Sequence, residues 1–211
     1  MSTAKAVLQG AGSARPDDER LSHLQQQVET EPARARAEAW DWFRELQAPS
    51  EHHRLAWLFA RGEAPNGPEG DREGIVMNLY GKLWLAGVDR LVRVGQLLGG
   101  MGWTGKTFDQ ASGTGYNRLT PGTRIPAFFV MPTYRFKRVN GELTGFRFFH
   151  SLESSPLAPH PRVRAIKYDA PEHANPLVLP RTRDELVEII PGVYLGRALL
   201  RSGDNWQVVG Y

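Results

Sequence analysis

The 211 residues include no cysteine. That excludes disulfide frameworks, cysteine-ligated metal centres and thiol nucleophiles, and it makes a reducing cytoplasm the expected location. Long hydrophobic runs are also missing: nothing approaches the roughly 18 uncharged apolar residues of a membrane span. The opening Met1-Ser-Thr-Ala-Lys-Ala-Val-Leu-Gln-Gly10 has too short an apolar run for a secretory signal. The expectation is a soluble protein. Histidine is scarce and badly spaced for a metal. His52 and His53 are adjacent, about 100° apart on a helix, and His150, His160 and His173 fall in proline-rich stretches. Neither a metal nor a cofactor is expected, and a Ser-His-Asp site lacks its G-x-S-x-G elbow.

Charge of one sign is thin as well. Net charge is +3, with twelve basic and fourteen acidic residues in 1–100 against fourteen and nine in 101–211. The basic residues of the second half are scattered singly and no recognition signature accompanies them, so no nucleic-acid partner is expected.

What is present centres on Gly99 to Leu119, GGMGWTGKTFDQASGTGYNRL. Gly100-Met-Gly-Trp-Thr-Gly105-Lys106-Thr107 satisfies G-x-x-x-x-G-K-[ST], the pattern of a phosphate-binding P-loop. That mechanism needs a strand before the glycines and a helix beginning at the lysine. Upstream, 89–98 has helical spacing instead; downstream, Phe108-Asp-Gln-Ala-Ser-Gly113-Thr-Gly115 breaks into a turn. Trp103 to Asp109 reads better as a strand containing a glycine, followed by a hairpin turn into 114–119.

The chain divides into three regions. Residues 1–16 offer nothing to bury and are expected to be a disordered tail. Residues 17–100 read as a helical region packed on the strand-rich second half. Leu21, Leu24 and Val28 share a face; Ala39, Trp42, Phe43 and Leu46 form a stripe after Pro32; Leu55, Leu58 and Phe59 turn inward after Ser50-Glu51. Gly62 to Gly74 reads as a loop. The amphipathic stretch 75–98, with Lys82, Asp89, Arg90 and Arg93, predicts a helix lying across the sheet, or one making weak contact with a membrane surface.

Residues 101–211 change period. Strands are expected at 103–109, 114–119, 124–131, 133–139, 142–150, 162–169, 176–180, 184–190, 193–201 and 205–211. Asn140-Gly141 is the strongest hairpin signal, because it accepts the positive φ of a type I′ turn. Pairing Val139 with Glu142 puts Tyr134, Phe136, Leu143, Gly145, Arg147 and Phe149 on one face. Arg147 is then a cation in an apolar lumen, needing Asp169, Glu185 or a ligand anion as partner. The fold class is α+β, mainly β: an antiparallel barrel of about 8–10 strands preceded by several helices.

Trp103-Thr-Gly-Lys-Thr-Phe-Asp109, Gly113-Thr-Gly-Tyr-Asn-Arg-Leu119, Tyr168-Asp169 with Asn175-Pro176, Arg183-Asp-Glu-Leu-Val-Glu188 and Pro191-Gly-Val-Tyr-Leu-Gly196, in that order, resemble an uncharacterised family of bacterial proteins with a lipocalin-like barrel. The resemblance covers about 35–211. More distantly the chain is similar to barrel proteins named for a G-x-W-x-G motif, from which Gly81-Lys-Leu-Trp-Leu-Ala-Gly87 departs by one spacing. It implies a fold and a cavity.

Such a barrel leaves room for one ligand. The first reading is a binder of an apolar lipid, terpenoid or polyketide-like molecule, lined by Tyr134, Phe136, Phe149, Tyr116, Tyr194 and Arg147. The second is a cofactor-independent isomerase, cyclase or lyase using Asp169 and Tyr168 as acid and base. The third is a P-loop nucleotide binder.

Overall fold

In the computed structural model the described residues are 16–77, 102–157, 161–176 and 179–211, without the side chains of 126, 129 and 130. Helix α1 (Pro16–Thr30) opens with Asp17, Asp18 and Glu19 in its first turn, where acids complement the helix dipole, and buries Leu21 and Leu24. Helix α2 (Pro32–Glu45) begins on a proline, whose absent N–H would have no partner there, and buries Ala35, Ala39, Trp42 and Phe43. A short turn of 3-10 helix, Pro49–Glu51, leads into α3 (His52–Phe59), which buries Leu55, Leu58 and Phe59. Arg54 of α3 reaches Asp17 of α1 at 2.6 Å and ties the two together. The helix expected over 75–98 lies outside the described residues from 78 onward, and 75–77 are not helical. Among the described residues no helix is long and apolar enough to cross a membrane.

The rest is mainly β. Nine antiparallel strands, β1 (Gly70–Glu73), β2 (Trp103–Asp109), β3 (Thr114–Leu119), β4 (Lys137–Val139), β5 (Glu142–Ser154), β6 (Arg162–Lys167), β7 (Thr182–Ile190), β8 (Val193–Ser202) and β9 (Asn205–Gly210), form one sheet. The order is β1-β2-β3-β5-β6-β7-β8-β9, with β4 paired to β5. The α+β, mainly β class is as expected. The closed barrel is not: among the described residues β1 and β9 are not paired, so the sheet stays open. After four residues β1 gives way to 74–77, where Gln47 at the end of α2 donates to the Val76 carbonyl. Among the described residues only the Met77 amide reaches the Tyr211 carbonyl, at 2.9 Å, so one described hydrogen bond stands where a ladder would close the ring.

The sheet is nonetheless rolled. Lys106 on β2 and Asp184 on β7 lie four strands apart, about 19 Å in a flat sheet. Their charged atoms are 3.0 Å apart. The face carrying both residues is therefore concave. It holds one core: Phe108, Leu119, Leu143, Phe146, Phe148, Ile166 and Tyr168, closed by Ala127, Met131 and Leu179. The convex face of β6, β7 and β8 holds the other, with Val163, Val187, Ile189, Val193 and Leu195 against the three helices.

Two expected strands take other forms. Residues 124–131 give helix α4 (Arg124–Val130), entered through the 3-10 turn Pro121–Thr123. Pro126 decides this, because a proline in the first helical turn forfeits no bond, whereas in a strand it removes a ladder donor. Of the strand expected at 176–180, residues 177 and 178 lie outside the described residues and 179–180 belong to the 3-10 turn Leu179–Arg181, while 133–139 shrinks to β4. One strand, β1, falls in the expected loop.

The hairpin at Asn140-Gly141 forms as read, with φ of 49° and 89° and Val139 paired to Glu142. The face assignment beyond it does not hold. Phe146 has a φ of 49°, and between the pairs Asn117↔Gly145 and Gly115↔Phe148 the strand β5 takes one residue more than β3. This β-bulge reverses the alternation, so Phe146, Phe148 and His150 join Leu143 on the concave face while Arg147 and Phe149 turn out. A bulge strands its own backbone groups. Here the Tyr134 hydroxyl accepts the Phe146 N–H, and the Asn117 side-chain amide donates to the Phe146 carbonyl at 3.0 Å.

Candidate functional site

Lys106 follows Gly105, whose φ is +149° and whose missing Cβ would sit 1.9 Å from the Arg72 carbonyl. The glycine thus permits β1 to lie close on β2. The strand runs on through Lys106 to Asp109, so the helix N-terminus that a phosphate loop requires is not there. Strand alternation instead carries the lysine side chain onto the concave face.

There three oxygens surround its ammonium. Lys106 Nζ lies 2.8 Å from Asn117 Oδ1, 2.6 Å from the Tyr168 hydroxyl and 3.0 Å from Asp184 Oδ2. Tyr168 in turn donates to Asp184 Oδ2 at 2.7 Å, and Trp103 Nε1 donates to Asn117 Oδ1 at 3.0 Å. Aromatic rings surround the ammonium, with the centroids of Trp103, Phe148 and Tyr168 at 5.6, 5.4 and 5.4 Å. Burial first, and then the Asp184 carboxylate, push the Tyr168 hydroxyl well above its ordinary pKa, which keeps it a proton donor. The cluster is not sealed. The Lys106 and Asp184 side chains keep 12% and 20% of their surface, and Asp184 Oδ1 has no partner among the described residues.

A second polar group occupies the same face. Arg164 on β6 donates to His150 Nδ1 at 3.3 Å and to the carbonyls of Pro65 and Asn66 at 3.1 and 2.8 Å. The His150 ring reaches the Asp109 carbonyl through Nε2 at 3.3 Å. Burial, and next the Arg164 charge, hold His150 below its ordinary pKa. A third group lies on the convex face. Glu185, fully buried, is clamped by Arg183 at 3.0 Å and Arg197 at 2.8 Å, and Arg183 also meets Glu153 at 2.6 Å. Every one of those charges is matched, as in a structural ion-pair network.

Of the residues expected from sequence, Tyr168 lies in the lysine cluster. Asp169 is exposed, just past the end of β6. Tyr134 and Phe136 pack on Phe146 at ring-centroid distances of 5.0 and 5.3 Å. Tyr194 is half-buried on the concave face, where Arg72 of β1 approaches its hydroxyl. Tyr116, paired with Thr107, belongs to the opposite face, and Arg147 and Phe149 point outward with it. Asp184, Asn117, Trp103, Phe148 and Arg164 were missed. Asp184 had a usable signal, since alternation along Arg183-Asp184-Glu185 must send the middle residue to the face its neighbours avoid. Among the described residues no three His, Asp or Glu side chains come together as metal ligands. Comparison with protein-family models, curated proteins and solved structures found no match.

Proposed function

We propose that the concave face of the sheet binds a small apolar molecule, in the manner of a lipocalin-like barrel, with a polar group of the ligand meeting Asp184. The observation that carries this reading is the half-open Lys106–Tyr168–Asp184 cluster. A purely structural ion pair is expected to be saturated, as around Glu185; here one carboxylate oxygen is left unused in an aromatic wall. Apolar pockets with a few convergent polar groups are the usual form of a small-molecule site.

Ala198 tests it. It is half-buried and pairs with Asp184 across β7 and β8, so Ala198→Trp puts an indole beside the carboxylate. The wild-type protein is expected to bind the neutral probe N-phenyl-1-naphthylamine with a rise in fluorescence, and the folded variant to lose at least tenfold in affinity. Equal binding by both proteins overturns the reading.

A second reading has one observation in its favour. The Tyr168 hydroxyl lies between Lys106 and Asp184, within 2.7 Å of each, a line along which a proton can pass. In that case the bound molecule is isomerised or dehydrated, with Asp184 as base in place of Asp169. Asp184→Asn would then abolish turnover of any compound that co-purifies with the wild-type protein while leaving its binding within a few-fold.

A further inference from the structure

Among the described residues, buried cations come with carboxylates, except one. Arg183, Arg197, Lys106 and Arg118 keep between 9% and 13% of their side-chain surface, and each has an acidic oxygen within 3.3 Å. Arg164 is as deeply placed, at 7% exposure, and among the described residues no carboxylate lies within ion-pair reach. Its acceptors are all neutral: one imidazole nitrogen and two backbone carbonyls. Its Nε is buried and has no acceptor among the described residues.

An uncompensated buried charge costs several kcal/mol. Clamping the 65–66 segment does not require it, because a neutral amide can donate to both carbonyls. His150 does not relieve it either: accepting from Arg164 through Nδ1 and donating to Asp109 through Nε2 is the pattern of a neutral ring. What remains is a guanidinium with donor capacity to spare and one unit of positive charge to match.

Its position connects it with the cluster already described. The His150 ring lies edge-on to Phe108 with centroids 5.2 Å apart and 6.2 Å from that of Phe148. Phe148 is in turn 5.4 Å from Lys106 Nζ. An aromatic strip therefore joins Arg164 to Lys106 along one face. Leu152, which pairs with Arg164 across β5 and β6, is 38% exposed and marks the open side.

We propose that Arg164 anchors the anionic head of the ligand, which makes the ligand class an apolar monocarboxylic acid; this rests on the concave-face binding reading above. A single guanidinium flanked by a neutral histidine, with one Nη1 hydrogen unspent, suits one carboxylate as its counter-charge, and it does not suit a phosphate dianion. The tail of the acid lies along Leu186, which is half-buried and pairs with Arg164 across β6 and β7, toward Asp184.

Displacement of N-phenyl-1-naphthylamine by decanoic acid and by 1-decanol at pH 8 tests the assignment. In the wild type the acid is expected to displace the probe at a concentration at least tenfold below the alcohol. In Arg164→Gln that advantage should vanish with the alcohol unchanged, and in Arg164→Lys part of it should return. Probe binding with equal displacement by acid and alcohol, or an acid advantage that survives in Arg164→Gln, overturns the anchor while leaving the binding site standing. Failure of the wild type to bind the probe overturns both. The wild-type comparison is decisive even if Arg164→Gln does not fold.

Discussion

Glu153 on β5 illustrates how single residues here carry pH dependence. Burial alone raises its carboxyl, but hydrogen bonds from Lys167, Ser151 and Arg183 outweigh that and hold the pKa to about 2. A depressed folded-state pKa contributes stability that is fully present above the unfolded value near 4.5 and is lost as pH falls toward 2. The expected outcome is a urea midpoint that declines across that window in the wild type. Glu153→Gln should be less stable at pH 7 and show a shallower decline, the difference being moderated by the quarter or so of the side chain that stays in water. Parallel pH profiles for the two proteins would refute the account. The same scale shows where sequence reasoning stopped. A lone inward arginine was the right thing to look for, yet one residue inserted at Phe146 exchanged the two faces, sending Arg147 to solvent while Arg164 on the neighbouring strand took the buried place. A bulge is set by where Tyr134 and Asn117 can reach stranded backbone groups, and nothing local to Gly145-Phe146 announces it.

At the scale of elements, legibility followed the strength of the local signal. The bounds of β2 and β3 and the turn at Asn140-Gly141 could be read directly, because glycine-rich turns and alternation agreed there. Helix α4 could not, since Arg124-Ile-Pro-Ala-Phe-Phe-Val has strand-like composition and only Pro126 speaks against it. Strand β1, Gly-Asp-Arg-Glu, has no apolar residue, and exists because Gly105 lets it approach. Gly105→Ala should therefore act on one element. A Cβ 1.9 Å from the Arg72 carbonyl at a φ of +149° must push β1 away, at a cost on the order of 2–4 kcal/mol. Gly141→Ala, also at positive φ but in open space, should cost only about 1–2 kcal/mol. Hydrogen exchange separates the cases: the amides of 70–73 should lose protection in the first variant and keep it in the second. Retained protection in Gly105→Ala would show that β1 does not depend on that contact.

The whole molecule combines a rolled, open sheet with helices on its outside, and the question at this scale is whether the two layers fold together. Nothing in the sequence decided which face of which strands the helices would cover; the alternation of β7 and β8 merely offered two faces, and long-range packing made the choice. The packing is continuous. Trp42, Phe43, Leu55, Leu58 and Phe59 share a core with Val187, Ile189, Val193 and Leu195, and Phe59 also carries Arg197 4.2 Å over its ring and Tyr211 at 6.2 Å. Because Arg197 belongs to the Glu185 network and Tyr211 receives the Met77 amide across the seam, loosening α3 disturbs the sheet at its charged centre and at its closure. Helix and sheet should thus unfold in one transition, with helical circular dichroism and tryptophan fluorescence giving the same urea midpoint. Leu58→Ala, at a fully buried position, should lower both midpoints together, with a stability loss of about 2–5 kcal/mol. A variant in which the helical signal melts first while the sheet stays folded would mean that the two layers are independent, and that the concave face does not need the helices behind it.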